Sequence, residues 1–142
     1  MFKLKSEVQF DTAHYLSGYE GKCSNIHGHR YRLIATIGSK ELHKDGQTRG
    51  MVDDFGNFKK ALKVIEDAFD HKLVIENNED GRKVYEKLKE LPNDFDMVLV
   101  DYRVTAEEMS RDIFNRLKNM GLPVIEVELF ETPNNSCIYT ED

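Results

Sequence analysis

The sequence has few cysteines, no long apolar run and no excess of positive charge. Two cysteines in 142 residues cannot make a disulfide framework, so a reducing cytoplasm is the expected compartment. The apolar runs fall far short of the ~18–20 residues that a membrane span needs. Mean hydropathy is −0.59, and no membrane association is expected. Twenty Lys and Arg against 26 Asp and Glu leave a net charge of −6. That balance argues against a general nucleic-acid binder, which would be basic. The stretch Met1 to Phe10 alternates polar and apolar residues and lacks the apolar core of a signal peptide. There is no internal repeat and no low-complexity tract.

What is present is 39% apolar and 32% charged residues, the balance of a globular protein with a charged surface. The length suits one domain over residues 1–142. A chain this long buries roughly 70% of its unfolded surface and needs no covalent staple. Either an enzyme or a binding module would fit, and the five histidines become the informative residues.

Alternation predicts the first strand. Phe2, Leu4, Val8 and Phe10 share one parity, and His14 keeps it if the strand runs on without a bulge. After a Gly-containing loop, His27 to Gly38 reads as a second strand with His27, His29, Tyr31, Leu33, Ala35 and Ile37 on one face. The polar stretch Lys40 to Gly50 reads as an exposed turn. Asp54 is a candidate N-cap for a helix from Phe55 to about Phe69. One short helix is expected around Val84, Leu88 and Leu91, closed by Pro92, and Met97 to Val100 reads as a short apolar strand or a lead-in. Thr105 and Glu108 form a capping box at the head of another helix. The last pair of strands, Ile125 to Glu131 and Ser136 to Tyr139, flanks Pro133-Asn134-Asn135. This order predicts an α+β fold with an antiparallel sheet and helices packed on one face, not a parallel βαβ series.

The strongest chemical signal is Cys23-Ser-Asn-Ile-His27-Gly-His29. Histidines at i and i+2 of a strand point the same way, so both rings can reach one ion. His14 becomes the third ligand if the first two strands pair as a hairpin. Three nitrogens suit zinc (Zn2+) and leave one position open, although iron, nickel and copper also take imidazole. Cys23 has two readings: a fourth ligand that closes a structural site, or a catalytic thiol near the cation. Asp70-His71 reads either as an acid/base pair or as a helix-end histidine set against the helix dipole. Glu131 ends an apolar face. It would either grip a planar donor edge with two parallel hydrogen bonds or lie wet beyond the strand end. Cys137 reads as a small core residue and His43 as a turn residue without a role. Lys22, Arg30 and Lys59 are the basic candidates for holding a polyanion.

Taken together, Phe10-x-x-x-His14, Cys23-x-x-x-His27-Gly-His29, Met51-Val-x-Asp-Phe55, Asp70-His71, Thr105-Ala-Glu107 and Glu131-Thr132 resemble the 6-pyruvoyltetrahydropterin and 6-carboxytetrahydropterin synthase family. The match runs from Phe10 to Tyr139. The resemblance implies a tunnelling fold (T-fold), in which subunits join their sheets into an oligomeric barrel, a homohexamer built as a dimer of trimers, with active sites at subunit interfaces. It implies zinc on His14, His27 and His29. It further implies Cys23 as general base, His71 with Asp70 as its partner, Glu131 as the pterin anchor, and Thr105 and Glu107 at the substrate. The short Cys-to-His spacing is similar to the bacterial 6-carboxytetrahydropterin branch. That branch is a lyase that turns 7,8-dihydroneopterin triphosphate into 6-carboxytetrahydropterin, acetaldehyde and triphosphate on the route to queuosine. The alternatives are the pyruvoyl product from the same substrate and a zinc-stabilised binding module without turnover. Glu108 stands where the family commonly has Asn, and Leu73-Val74 stand where it commonly has Leu-Asn.

Overall fold

The computed structural model describes residues 1–142. Its elements are β1 (Phe2–His14), β2 (His27–Ser39), α1 (Phe55–Phe69), β3 (Lys72–Glu76), α2 (Glu79–Lys89), β4 (Met97–Val100), α3 (Ala106–Asn119), β5 (Val124–Thr132) and β6 (Asn135–Tyr139). A 3-10 turn at Lys22–Ser24 interrupts the β1–β2 loop. The six strands form one curled mixed sheet in the order β4-β3-β1-β2-β5-β6.

β1 runs without a bulge to His14, and its register with β2 is continuous from Phe2 opposite Ser39 to His14 opposite His27. The period-2 alternation therefore carries its apolar parity to the strand end. There the small buried polar set begins with Thr12 and His14. α1 and α3 lie on the buried face. Asp54 caps α1 by accepting from the Gly56 amide, and Thr105 caps α3 by accepting from the Glu108 amide at 3.3 Å. Phe58, Leu62, Ile65 and Phe69 of α1 meet Met109, Ile113 and Leu117 of α3 and Phe10, Tyr31, Leu33 and Val127 of the sheet in one core. Full burial of each large side chain stabilises the fold by about 1.5–3 kcal/mol.

The expectation of antiparallel pairing alone is corrected at one edge. β3 runs parallel to β1, joined at Thr12–Lys72 and Ala13–Leu73, and β4 runs parallel to β3 over four pairs. β3–α2–β4 is thus a parallel βαβ unit. Val74 enters the main core, whereas Ile75 and Met97 enter a second cluster with Leu73, Val84, Tyr85, Leu88 and Leu99. Both faces of β3 are covered, so it carries no alternation for a sequence reading to find. α2 ends at Lys89, three residues before Pro92.

Candidate metal centre and active site

Three strand positions build the centre. His14 closes β1 and stands opposite His27, the first residue of β2. His29 follows two residues on and shares the same face. The ring centroids are 4.7 Å apart for His14–His27, 5.1 Å for His14–His29 and 5.0 Å for His27–His29. One nitrogen from each ring lies within 4.8 Å of the others.

The hydrogen bonds set the tautomers. His14 Nδ1–H donates to the Val104 carbonyl at 2.8 Å, and His27 Nδ1–H donates to the Asn25 carbonyl at 2.7 Å. A carbonyl can only accept, so each Nδ1 carries the proton and each Nε2 keeps a lone pair. His14 Nε2 and His29 Nε2 are buried without a hydrogen-bond partner. Buried polar atoms of this kind are rare unless something occupies them. Burial pushes the His14 pKa down to about 4. Burial also lowers that of His29, against an opposing pull from Glu131. Neutral imidazole is the form that binds a cation, so the donor set fits a divalent metal.

Beneath the rings lies Tyr31, which meets His29 edge-on at 5.6 Å and stacks on Phe10 at 5.7 Å. Its hydroxyl is buried and unpartnered, and burial followed by Glu131 raises its pKa. Sequence reading placed Tyr31 on the correct face but gave it no part in the site.

Cys23 sits in the 3-10 turn. Its sulfur is not among the ligand atoms that gather within 4.8 Å. It lines a cleft of about 360 Å³ with His14, His27, Thr105, Glu107, Glu131 and Cys137. Cys23 therefore shares a cleft with two of the three rings without joining their ligand atoms. Glu131 Oε1 stands 3.4 Å from His29 Nε2, within ion-pair range but too poorly aligned for a hydrogen bond. Cys137 differs from its expectation as a core residue. It is half-buried on the cleft wall, with the Ser110 hydroxyl donating to its sulfur at 3.4 Å.

Asp70 and His71 lie outside the cleft of Cys23. His71 adopts a left-handed backbone, φ 58°, held by its N–H donating to the Asp11 carbonyl at 2.6 Å. The Asp11 amide donates to Asp70 Oδ1 at 2.9 Å, and Asp70 Oδ2 lies 3.0 Å from His71 Nδ1. The Asp11 amide, then His71, hold the Asp70 carboxyl below its usual range. The His71 side chain is 78% exposed and lines a hollow of about 700 Å³ with Arg30, Lys72 and Phe95, which His29 of the imidazole cluster also borders. Within one chain, then, the pair does not share the cleft of Cys23. Arg30 is paired with Asp11 at 3.0 Å. Lys22 and Lys59 are exposed and line neither hollow. His43 stays in the turn, its N–H donating to the Met51 carbonyl.

The family description "6-pyruvoyl tetrahydropterin synthase" matches residues 3–142. The chain belongs to this family. A Haemophilus influenzae synthase-family relative named 6-carboxy-5,6,7,8-tetrahydropterin synthase is 42% identical over 144 residues, covering 99% of this chain and 100% of its own. A Rickettsia bellii relative of the same name is 32% identical, covering 94% of this chain and 96% of its own. The Caenorhabditis elegans 6-pyruvoyl tetrahydropterin synthase structure shares the fold at a TM-score of 0.68 and 22% identity, covering 99% of this chain and 96% of that one. These tetrahydropterin synthase neighbours confirm the T-fold expected from the motifs. No helix of the chain is long and apolar enough to cross a membrane.

Proposed function

We propose that this chain is a zinc-dependent lyase that converts 7,8-dihydroneopterin triphosphate to 6-carboxy-5,6,7,8-tetrahydropterin, releasing acetaldehyde and triphosphate on the route to queuosine. One observation carries the reading. Two buried, orphaned imidazole nitrogens, of His14 and His29, stand beside a third, while Cys23 shares the cleft of His14 and His27 without joining the cluster. A closed structural site would use four protein ligands; this arrangement leaves room for substrate.

His14, His27 and His29 would hold the ion, which supplies Lewis acidity toward oxygens of the substrate side chain. Cys23, as thiolate, takes a proton from that side chain. Glu131 grips the amidine-like edge of the pterin with paired hydrogen bonds and fixes which carbon faces the thiol. Thr105 and Glu107, on the same cleft wall, flank the ring. Asp70 orients His71 as the second proton-transfer group.

Because Cys23 of its own chain does not line the hollow of His71, we read His71 as serving the thiol of a neighbouring copy. The assembly that the family resemblance implies is a homohexamer, a dimer of trimers with sites at the interfaces. Residues 1–142 act as one domain, and a reducing cytoplasm keeps Cys23 and Cys137 as free thiols.

The test is to incubate zinc-loaded protein with dihydroneopterin triphosphate and assay both leaving products. Triphosphate and acetaldehyde in equal amounts are expected. Triphosphate alone would assign the pyruvoyl product instead. Cys23→Ala should keep its zinc and lose about 10²–10⁴-fold in kcat. If it loses the metal and the fold together, the site is structural.

A further inference from the structure

We propose that Arg103 is a positioning residue for the Cys23 thiol, clasping the β1–β2 loop to the segment that orients His14. The inference rests on the reading of Cys23 as a proton-transfer group.

The loop that carries Cys23 lies outside the sheet, so its position depends on local contacts. It is closed on itself by the Leu16 amide, which donates to the Cys23 carbonyl at 2.7 Å. Arg103 touches it at two further points. Nη2 donates to the Ser17 carbonyl at 3.1 Å, and the guanidinium carbon lies 5.6 Å from the centre of the Tyr19 ring. The Tyr19 ring in turn packs against Gly21, where even a methyl group would come within 2.9 Å of Cε1. Gly21 caps the 3-10 turn that contains Cys23, and its carbonyl accepts from the Ser24 amide and hydroxyl. Guanidinium, phenol ring, Gly21 and thiol turn thus form one line of contact.

On its other side Arg103 belongs to the run leading into α3. Its carbonyl accepts from the Thr105 amide at 2.7 Å. That tight turn presents the Val104 carbonyl, which receives the His14 Nδ1 proton at 2.8 Å, and sets Thr105 on the cleft wall. The same residue therefore ties the thiol loop to the backbone that fixes a metal-centre ring.

A planar fork suits the task, because it donates at its edge and stacks on its face. Arg103 Nε is buried without a partner, an unmet donor that costs stability.

The experiment uses the full zinc-loaded chain with Arg103→Met, Arg103→Lys and Tyr19→Leu. Three quantities are measured: zinc per chain, kcat and KM on dihydroneopterin triphosphate, and the pH profile of Cys23 alkylation by iodoacetamide, read on the Cys23 peptide by mass spectrometry. Arg103→Met should keep its zinc and hold KM within about twofold, lose roughly ten- to a hundredfold in kcat, and show a displaced alkylation profile. Arg103→Lys should restore part of both, since lysine donates but does not stack flat. Tyr19→Leu, at a side chain 45% exposed, should reproduce a smaller loss without endangering the fold. A wild-type kcat in Arg103→Met, or a lost kcat with an unmoved Cys23 profile, overturns the proposal. If Arg103→Met does not fold, Tyr19→Leu decides by the same readouts. Full turnover by Cys23→Ala would instead sink the reading of the thiol, and the alkylation profiles would still report whether Arg103 places it.

Discussion

His14 is held from two directions. Its Nδ1–H is given to Val104, and its Nε2 is buried and free. Burial lowers its pKa from 6.5 to about 4, so the unfolded chain binds the proton more readily than the folded one. The stability this histidine contributes to the metal-free protein is intact above pH about 6.5 and is lost as pH falls toward 4. Thermal melting of the metal-free protein should therefore fall across that window more steeply than that of His14→Asn, which has nothing to titrate. Equal slopes for the two proteins would refute the assignment. The three histidines were legible in the sequence because a strand's period of two aligns i with i+2, and His14 kept the parity of Phe10. The part played by Tyr31 was not legible, since aromatic residues at buried parity normally serve the core. Cys137 was misread for a related reason: a strand face continues from core into cleft without any change in its pattern.

Among the elements, α2 and β3 are joined most tightly at Gly81. A Cβ there would fall 1.8 Å from the Glu76 carbonyl oxygen and 2.9 Å from Ile75 Cγ2. Gly81→Ala must therefore push the helix off the strand, at a cost of about 1–3 kcal/mol. Calorimetry should show a lowered Tm. Hydrogen exchange should quicken in α2, β3 and β4 while the β1–β2 ladder stays protected. Uniform quickening would mean that the edge unit does not loosen on its own. The long hairpin and the two capped helices could be read in advance because each buries a single face and repeats at its own period. β3 could not. It is five residues long and divides its side chains between two clusters. The placement of His71 was equally hidden, because it depends on a left-handed turn in a residue other than glycine and on the partnership of that turn with Asp11.

At the scale of the whole molecule, Cys23 and His71 line different hollows, and His29 borders that of His71. If neighbouring copies complete each other, Cys23→Ala and His71→Ala should each be inactive alone and should rescue one another when unfolded and refolded together. Random assortment leaves about a quarter of the interfaces with both native residues, so about that share of wild-type activity is expected. No recovery in a mixture shown by native mass spectrometry to contain both variants would place Cys23 and His71 at one chain's own site.

The bond between His14 and Val104 spans 90 residues, although all three imidazoles lie within the first 29 positions. A nascent chain emerging from a ribosome thus presents every imidazole of the cluster long before the carbonyl that selects the His14 tautomer has been made. An ion captured early would be held loosely and could exchange. If the cluster holds an ion as proposed, firm retention would wait until the run into α3 has been synthesised and docked, and the choice of metal would be settled late in the making of the protein.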